Sequence, residues 1–215
     1  PDLDKTDVSS LRVCISGGAP LPAPLREKFE ARTGVRLVEG YGLTESSGGI
    51  STNPYEGTRK PGTIGQVVMQ TEVLLLDKED PTKLAPEGEP GELAINGPQI
   101  MQGYWNLPDA DAEVFIEHQG RKWLRTGDVA QIDADGFVEI VDRIKDMIVS
   151  GGENVYPREI EEFLYTHPDV VDAQVIGVPD ERYGEELCAW VVLREGAEGD
   201  LEAIRERANK QLGKG

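Results

Sequence analysis

Trp123-Leu124-Arg125-Thr126-Gly127-Asp128 is followed by Asp133-Ala134-Asp135-Gly136, by Phe137-Val138-Glu139-Ile140-Val141-Asp142-Arg143-Ile144-Lys145-Asp146, and by Ser150-Gly151-Gly152-Glu153-Asn154. The glycine before Asp128 frees the backbone to turn and lets the carboxylate face outward, where it can accept from two vicinal hydroxyls of a sugar. A turn aspartate bonding its own backbone explains an isolated Thr-Gly-Asp more simply. Val129 to Ile132 and Phe137 to Val141 alternate as strands, and Asp135-Gly136 between them is a hairpin signal. Asp142 to Asp146 then place four charges in five residues, a crossing that is hard to bury and easy to hinge.

Composition narrows the class. With 215 residues, 38% hydrophobic and 29% charged, the chain is globular and long enough for one sizeable core or two small ones. Its formal charge of -18 argues against nucleic acid or anionic lipid as a partner. A polyanionic ligand must therefore rely on local cationic groups, helix N-termini or metal ions. No apolar run approaches membrane-spanning length and no signal peptide opens the chain, so the expectation is a soluble cytoplasmic protein. Cys14 and Cys188 lie in apolar strand-like runs and read as reduced core residues. His118 and His167 lack partners at zinc-ligand spacing.

Upstream, Leu11 to Ile15 reads as a buried strand, Ser16-Gly17-Gly18-Ala19-Pro20 as the turn after it, and Leu21, Leu25 and Phe29 as a helix stripe that Gly34 ends. The glycine pair has no lysine after it, as a P-loop requires. Glu39-Gly40-Tyr41-Gly42-Leu43-Thr44-Glu45-Ser46 sets an aromatic between two glycines and follows it with a hydroxyl and a carboxylate. That is a plausible nucleotide platform, and equally a turn holding one core tyrosine. Ser46 to Gly62 reads as a loop, and Gln66 to Met69, Glu72 to Leu76 and Glu92 to Ile95 as short strands of a barrel-like subdomain. Gly91 to Pro98 and Gly103-Tyr104-Trp105 read as scaffold, and Asp109 to Phe115 as a short helix. Beyond the charged crossing come a helix from Pro157 with Ile160, Phe163 and Leu164 inward, strands at Val170 to Val178 and Leu187 to Leu193, and a last helix striped by Leu201, Ile204, Ala208 and Leu212.

Thr126-Gly127-Asp128, Asp142 to Asp146, and Ser150-Gly151-Gly152-Glu153-Asn154-Val155-Tyr156-Pro157-Arg158-Glu159-Ile160-Glu161, in this order and spacing, resemble the adenylate-forming (acyl-CoA synthetase) superfamily. The resemblance implies a mixed α/β and α+β fold. Residues 1–64 would be the last part of a large nucleotide- and acyl-binding domain, 65–142 its β-rich subdomain, and 143–215 a small α+β C-terminal domain, with a hinge near 142–146. It further implies that Gly18, Ala19 and Pro20 wall the adenine and that Tyr41, flanked by Gly40 and Gly42, stacks on it. Thr44 would touch the phosphate, Glu45 bind Mg2+, Asp128 hold the AMP ribose with Arg143 in support, Lys145 lie at the hinge, and Gly151 and Gly152 approach coenzyme A.

On this resemblance the parent protein is an ATP-dependent ligase that activates a medium or long fatty acid through an acyl-AMP to a CoA thioester. An aryl-CoA ligase, a carrier-protein-loading adenylation domain and, from a different class, a non-catalytic nucleotide-binding or interaction module are the alternatives. The family's phosphate loop would precede residue 1 and its catalytic lysine would follow further strands, so Lys214, directly after an amphipathic stripe, does not match it. The chain then reads as a fragment that alone forms no acyl-AMP.

Overall fold

The computed structural model describes residues 6–19, 21–197 and 204–205, and the chain divides into two compact units, Pro1–Ile140 and Val141–Gly215. The first unit opens with strand β1 (Cys14–Ser16) and helix α1 (Ala23–Thr33). The helix stops where Gly34 adopts a left-handed φ of 70° and donates its N–H to the Glu30 carbonyl, the end that a glycine just past the last turn provides. Strand β2 (Leu37–Leu43) lies parallel to β1, with Cys14 opposite Leu37 and Ser16 opposite Glu39. Then follow β3 (Gly48–Thr52), β4 (Gly65–Val67), β5 (Glu72–Leu76), β6 (Gly91–Asn96), α2 (Pro108–Val114), β7 (Phe115–His118), β8 (Arg121–Ile132) and β9 (Phe137–Arg143). They form one sheet in the order β1-β2-β3-β4-β9-β8-β6-β5, with β7 beside β8.

Three expectations change here. The β-rich segment is a small subdomain with no closed barrel: β5 ends the sheet order and pairs, among the named strands, with β6 alone, while β4 is taken up by β3 and β9. The segment from Ser46 to Gly62 contains β3, a sheet strand with Ile50 and Ser51 buried. Its Ser, Gly, Asn and Thr residues read as loop, yet Ser51 Oγ donates to the Ile64 carbonyl at 2.9 Å and Asn53 Nδ2 to the Thr63 carbonyl at 2.7 Å, so the polar atoms are satisfied inside. Finally, β1 is not a buried strand: Val13 and Ile15 are 44% and 68% exposed, since β1 is the sheet's edge and α1 buries none of its residues. Cys14 is accordingly a half-buried free thiol rather than a core residue.

Helix α1 is tied down by charge instead. Arg59 donates through Nη1 and Nη2 to Glu30, whose Oε1 also accepts the Leu37 N–H at 2.7 Å. The guanidinium holds the Glu30 carboxyl down to about 2 from its ordinary 4.5. A depressed carboxyl contributes stability that is present above its unfolded pKa and is lost as pH falls toward the folded one. Glu30→Gln is therefore expected to destabilise the first unit by about 2 kcal/mol at pH 7, after allowance for solvent screening, and by almost nothing near pH 2. Urea melts of both proteins across that range check this; a loss that does not shrink with acid would mean the pair carries no net stability.

The second unit holds β10 (Ile148–Ser150), β11 (Glu153–Val155), α3 (Pro157–Tyr165), β12 (Val170–Asp180) and β13 (Gly184–Leu193), its strands ordered β11-β10-β13-β12. Ile160 and Leu164 on one side of α3 pack with Ile148, Val170, Ala173, Val175 and Ile204, the helical spacing meeting the alternation of β12. Cys188 in β13 is a half-buried free thiol. Apart from Ile204 and Arg205, the expected last helix and Lys214 lie outside the described residues. Among the described residues no helix is long and apolar enough to cross a membrane.

Candidate nucleotide site

Thr126-Gly127-Asp128 is neither a turn nor a chain end: it sits in the middle of the twelve-residue strand β8. Pairing with β6 runs Ile95–Leu124 and Ala94–Arg125, then resumes at Glu92–Val129, so Thr126, Gly127 and Asp128 stand opposite Leu93 alone. This is a special bulge, three residues against one, with Gly127 at a φ of 74° that a side chain would disfavour. Thr126 Oγ1 donates to the Leu93 carbonyl at 2.8 Å and accepts the Asp128 N–H at 3.1 Å. The bulge sinks the Asp128 side chain to 3% exposure, and the Tyr41 hydroxyl donates to its Oδ2. Residues 87 apart in sequence thus share one hydrogen bond.

Tyr41 lies in β2, not in a turn, and its half-buried ring packs beside the cluster of Ile50, Leu93, Ile95, Leu124, Ala130 and Val138. The flanking glycines have packing reasons. A methyl at Gly42 would lie 2.2 Å from the Gly48 carbonyl oxygen, where β3 skips a residue to pair Tyr41 with Ser51 and Gly42 with Gly49. One at Gly40 would press the Ile15 side chain at 3.3 Å, and one at Gly17 would stand 3.0 Å from the Gly40 carbonyl oxygen. The turn that follows β1, with Gly18 at a φ of 84° and Ala19 exposed, is therefore drawn against the start of the Gly40-Tyr41 segment. It leaves from the carboxyl end of a parallel strand pair, where open α/β sheets bind ligands. Pro20 lies outside the described residues.

Thr44, Glu45 and Ser46 form a single 3-10 turn at the end of β2. Thr44 is exposed, and half-buried Glu45 accepts at Oε1 from the Tyr104 hydroxyl, 2.8 Å away. The carboxylate pushes the Tyr104 pKa up, so the phenol remains a donor at neutral pH. The Met101 N–H bonds the Glu45 carbonyl at 2.8 Å, fixing the turn from the far side. Tyr104 is thus no mere scaffold, and neighbouring Trp105 does not pack at all, at 89% exposure.

Arg143, Lys145, Gly151 and Gly152 belong to the second unit. Arg143 ends β9, and Lys145 is exposed in the 3-10 turn Ile144–Asp146. Asp142 is buried there, accepting the Arg143 N–H at 2.7 Å and, at the first turn of α3, the Arg158 N–H at 3.2 Å; burial pushes its carboxyl up. Gly151 and Gly152, at φ of 63° and 87°, join Ser150 to Glu153 in a two-residue hairpin, a turn that wants positive φ at both positions.

Sequence reading passed over Glu92 and Arg125. Glu92 is 2% exposed in β6, whose first five residues are all buried. Arg125 donates to its Oε2 from Nε at 2.9 Å and from Nη2 at 2.7 Å, and the Gly127 N–H donates to its Oε1 at 3.2 Å. The available signal was a glutamate heading the apolar run Leu93-Ala94-Ile95, because a buried carboxylate needs a partner.

Residues 1–105 match the family described as AMP-binding enzyme, and residues 159–214 match the AMP-binding enzyme C-terminal domain. A long-chain-fatty-acid–CoA ligase of Bacillus subtilis is 44% identical over 212 residues, which are 99% of this chain and 37% of that protein. A sulfoacetate–CoA ligase of Cupriavidus necator is 42% identical over 207 residues, 96% of this chain and 40% of that one. The crystal structure of ATP-bound MatB from Rhodopseudomonas palustris superposes with a TM-score of 0.83 at 38% identity, covering 92% of this chain and 38% of that chain. The chain thus spans well under half the length of the curated relatives it matches.

Proposed function

The chain belongs to the AMP-binding enzymes, the adenylate-forming superfamily, and from that premise we propose that its protein is an ATP-dependent fatty-acid–CoA ligase working through an acyl-AMP. The observation that carries this reading is the Asp128 carboxylate, set by a bulge beside Tyr41, in a chain 44% identical to a fatty-acid–CoA ligase. A carboxylate that accepts from a tyrosine hydroxyl is equally suited to a ribose hydroxyl, the same kind of donor. In this reading Gly18, Ala19 and Pro20 wall the adenine with Gly40, Tyr41 and Gly42, and Asp128 holds the ribose with Arg143 in support. The exposed Thr44 hydroxyl donates to the α-phosphate.

The donor set fits magnesium only in one way. Among the described residues no group of three or more His, Cys, Asp or Glu could hold a metal, so Glu45 would serve as a single protein ligand, as Mg2+ sites with substrate phosphates and water allow. Tyr104 keeps one Glu45 oxygen occupied and the side chain in place. Bound there, the ion would neutralise charge on the phosphates. Activation is needed because a carboxylate is a poor electrophile, whereas a carboxyl joined to AMP carries a good leaving group. For the second half-reaction we place a hinge at residues 142–146, with Lys145 in it, and the Gly151-Gly152 hairpin beside coenzyme A. The two free thiols accord with a reducing, cytoplasmic setting.

ATP–pyrophosphate exchange by the protein expressed from its full reading frame tests this, with fatty, aromatic and sulfonated acids offered separately. Exchange that depends on a fatty acid, followed by thioester formation with coenzyme A, is expected. Exchange with aromatic acids alone would make the protein an aryl-CoA ligase. AMP binding with no exchange for any acid would make it a non-catalytic nucleotide-binding module.

A further inference from the structure

We propose that Glu92 is a positioning residue for Asp128, holding the bulge of β8 in the shape that presents the carboxylate; this rests on the ribose reading above. Three residues of β8 stand opposite Leu93, and a strand relieved of that excess would return to simple alternation and re-aim Asp128. Glu92 is tied to the bulge at two points. Its Oε2 holds Arg125, the last regularly paired residue before the bulge, and its Oε1 holds the Gly127 N–H at the centre. Thr126 completes the frame through Leu93 and the Asp128 N–H. The Gly127 and Asp128 N–H groups, displaced from the ladder by the bulge, thereby have acceptors.

Stability alone does not call for this arrangement. A buried ion pair contributes little compared with well-packed apolar residues of the same volume, so a carboxylate in a central strand is weak evidence of a stabilising role. What an apolar side chain could not do is accept the Gly127 N–H and hold the glycine at positive φ. Glu92 lies on a neighbouring strand and reaches the ligand only through Thr126, Gly127 and Asp128.

Calorimetric binding of AMP and of 2′,3′-dideoxyadenosine 5′-phosphate to the protein from the full reading frame tests the inference, because the second ligand lacks the hydroxyls that Asp128 would accept. Glu92→Gln is expected to weaken AMP by about three- to ten-fold, the size of one disturbed hydrogen bond, while leaving the dideoxy ligand unchanged. In an Asp128→Ala background the same change should have no further effect, whereas a generally structural role would weaken both ligands in both backgrounds. Should Glu92→Gln not fold, the paired replacement Glu92→Met with Arg125→Leu removes both charges together and is expected to fold yet lose the preference for AMP. A folded variant that keeps the wild-type preference overturns the role of Glu92 and leaves the ribose reading intact. A wild-type protein that does not distinguish the two ligands overturns the ribose reading and this inference with it.

Discussion

Asp128→Ala is expected to weaken binding of a non-hydrolysable acyl-AMP analogue by about ten- to a hundred-fold, because each bond to a charged acceptor is worth about 1.5 to 3 kcal/mol. The side chain is buried and also accepts from Tyr41, so a loss of fold must be separated from a loss of contact. Asp128→Asn serves that purpose: it keeps the volume and one acceptor, and should retain the melting temperature while still losing affinity for the ribose. Calorimetry on the protein from the full reading frame reads both. Unchanged affinity in a folded Asp128→Ala protein would remove the ribose role and leave Asp128 as the acceptor for Tyr41.

Gly65→Ala should be the most damaging small change in the first unit. Gly65 starts β4 with a φ of 85°, and a methyl there would fall 2.0 Å from the Thr52 carbonyl carbon and 2.1 Å from the Asn53 nitrogen. These are backbone atoms at the end of β3 and just beyond it, and they cannot rotate aside as a side chain could. Relief would require breaking the Thr52–Gln66 or Gly65–Val138 pairing on which the middle of the sheet depends. Strain at positive φ adds about 1 to 3 kcal/mol to an overpacking cost of the same size, so a loss of roughly 3 to 5 kcal/mol is expected. Gly18→Ala is the control, since a methyl there meets nothing within 4 Å, although its φ is also positive. Denaturant melts giving equal losses for both would show that backbone conformation, not collision, sets the glycine requirement.

Several elements were legible because their causes are local. Gly34 ends α1 and Asp133 to Gly136 turns β8 into β9, each for a backbone reason carried by the residues themselves. The stripe Ile160, Leu164 was readable as the inner side of α3 for the same reason. Other features were misread where polar or small residues stood inside the sheet. Ser51 and Asn53 resemble loop residues until their partners Ile64 and Thr63 are known. Leu11 to Ile15 resembles a core strand until it is found at an edge.

The sequence by itself determined the kind of protein, through ordered motifs, and the local turns, through glycine and aspartate. Tertiary structure alone decided that Thr126-Gly127-Asp128 is a bulge within a strand, that the Tyr41 hydroxyl donates to the Asp128 carboxylate, and that Glu92 accepts the Gly127 N–H at the bulge's centre. Turn preference acts within a few residues and is written in them. Strand register and the partner of a buried polar group depend on which distant segments lie alongside, and that is settled only when the whole sheet forms.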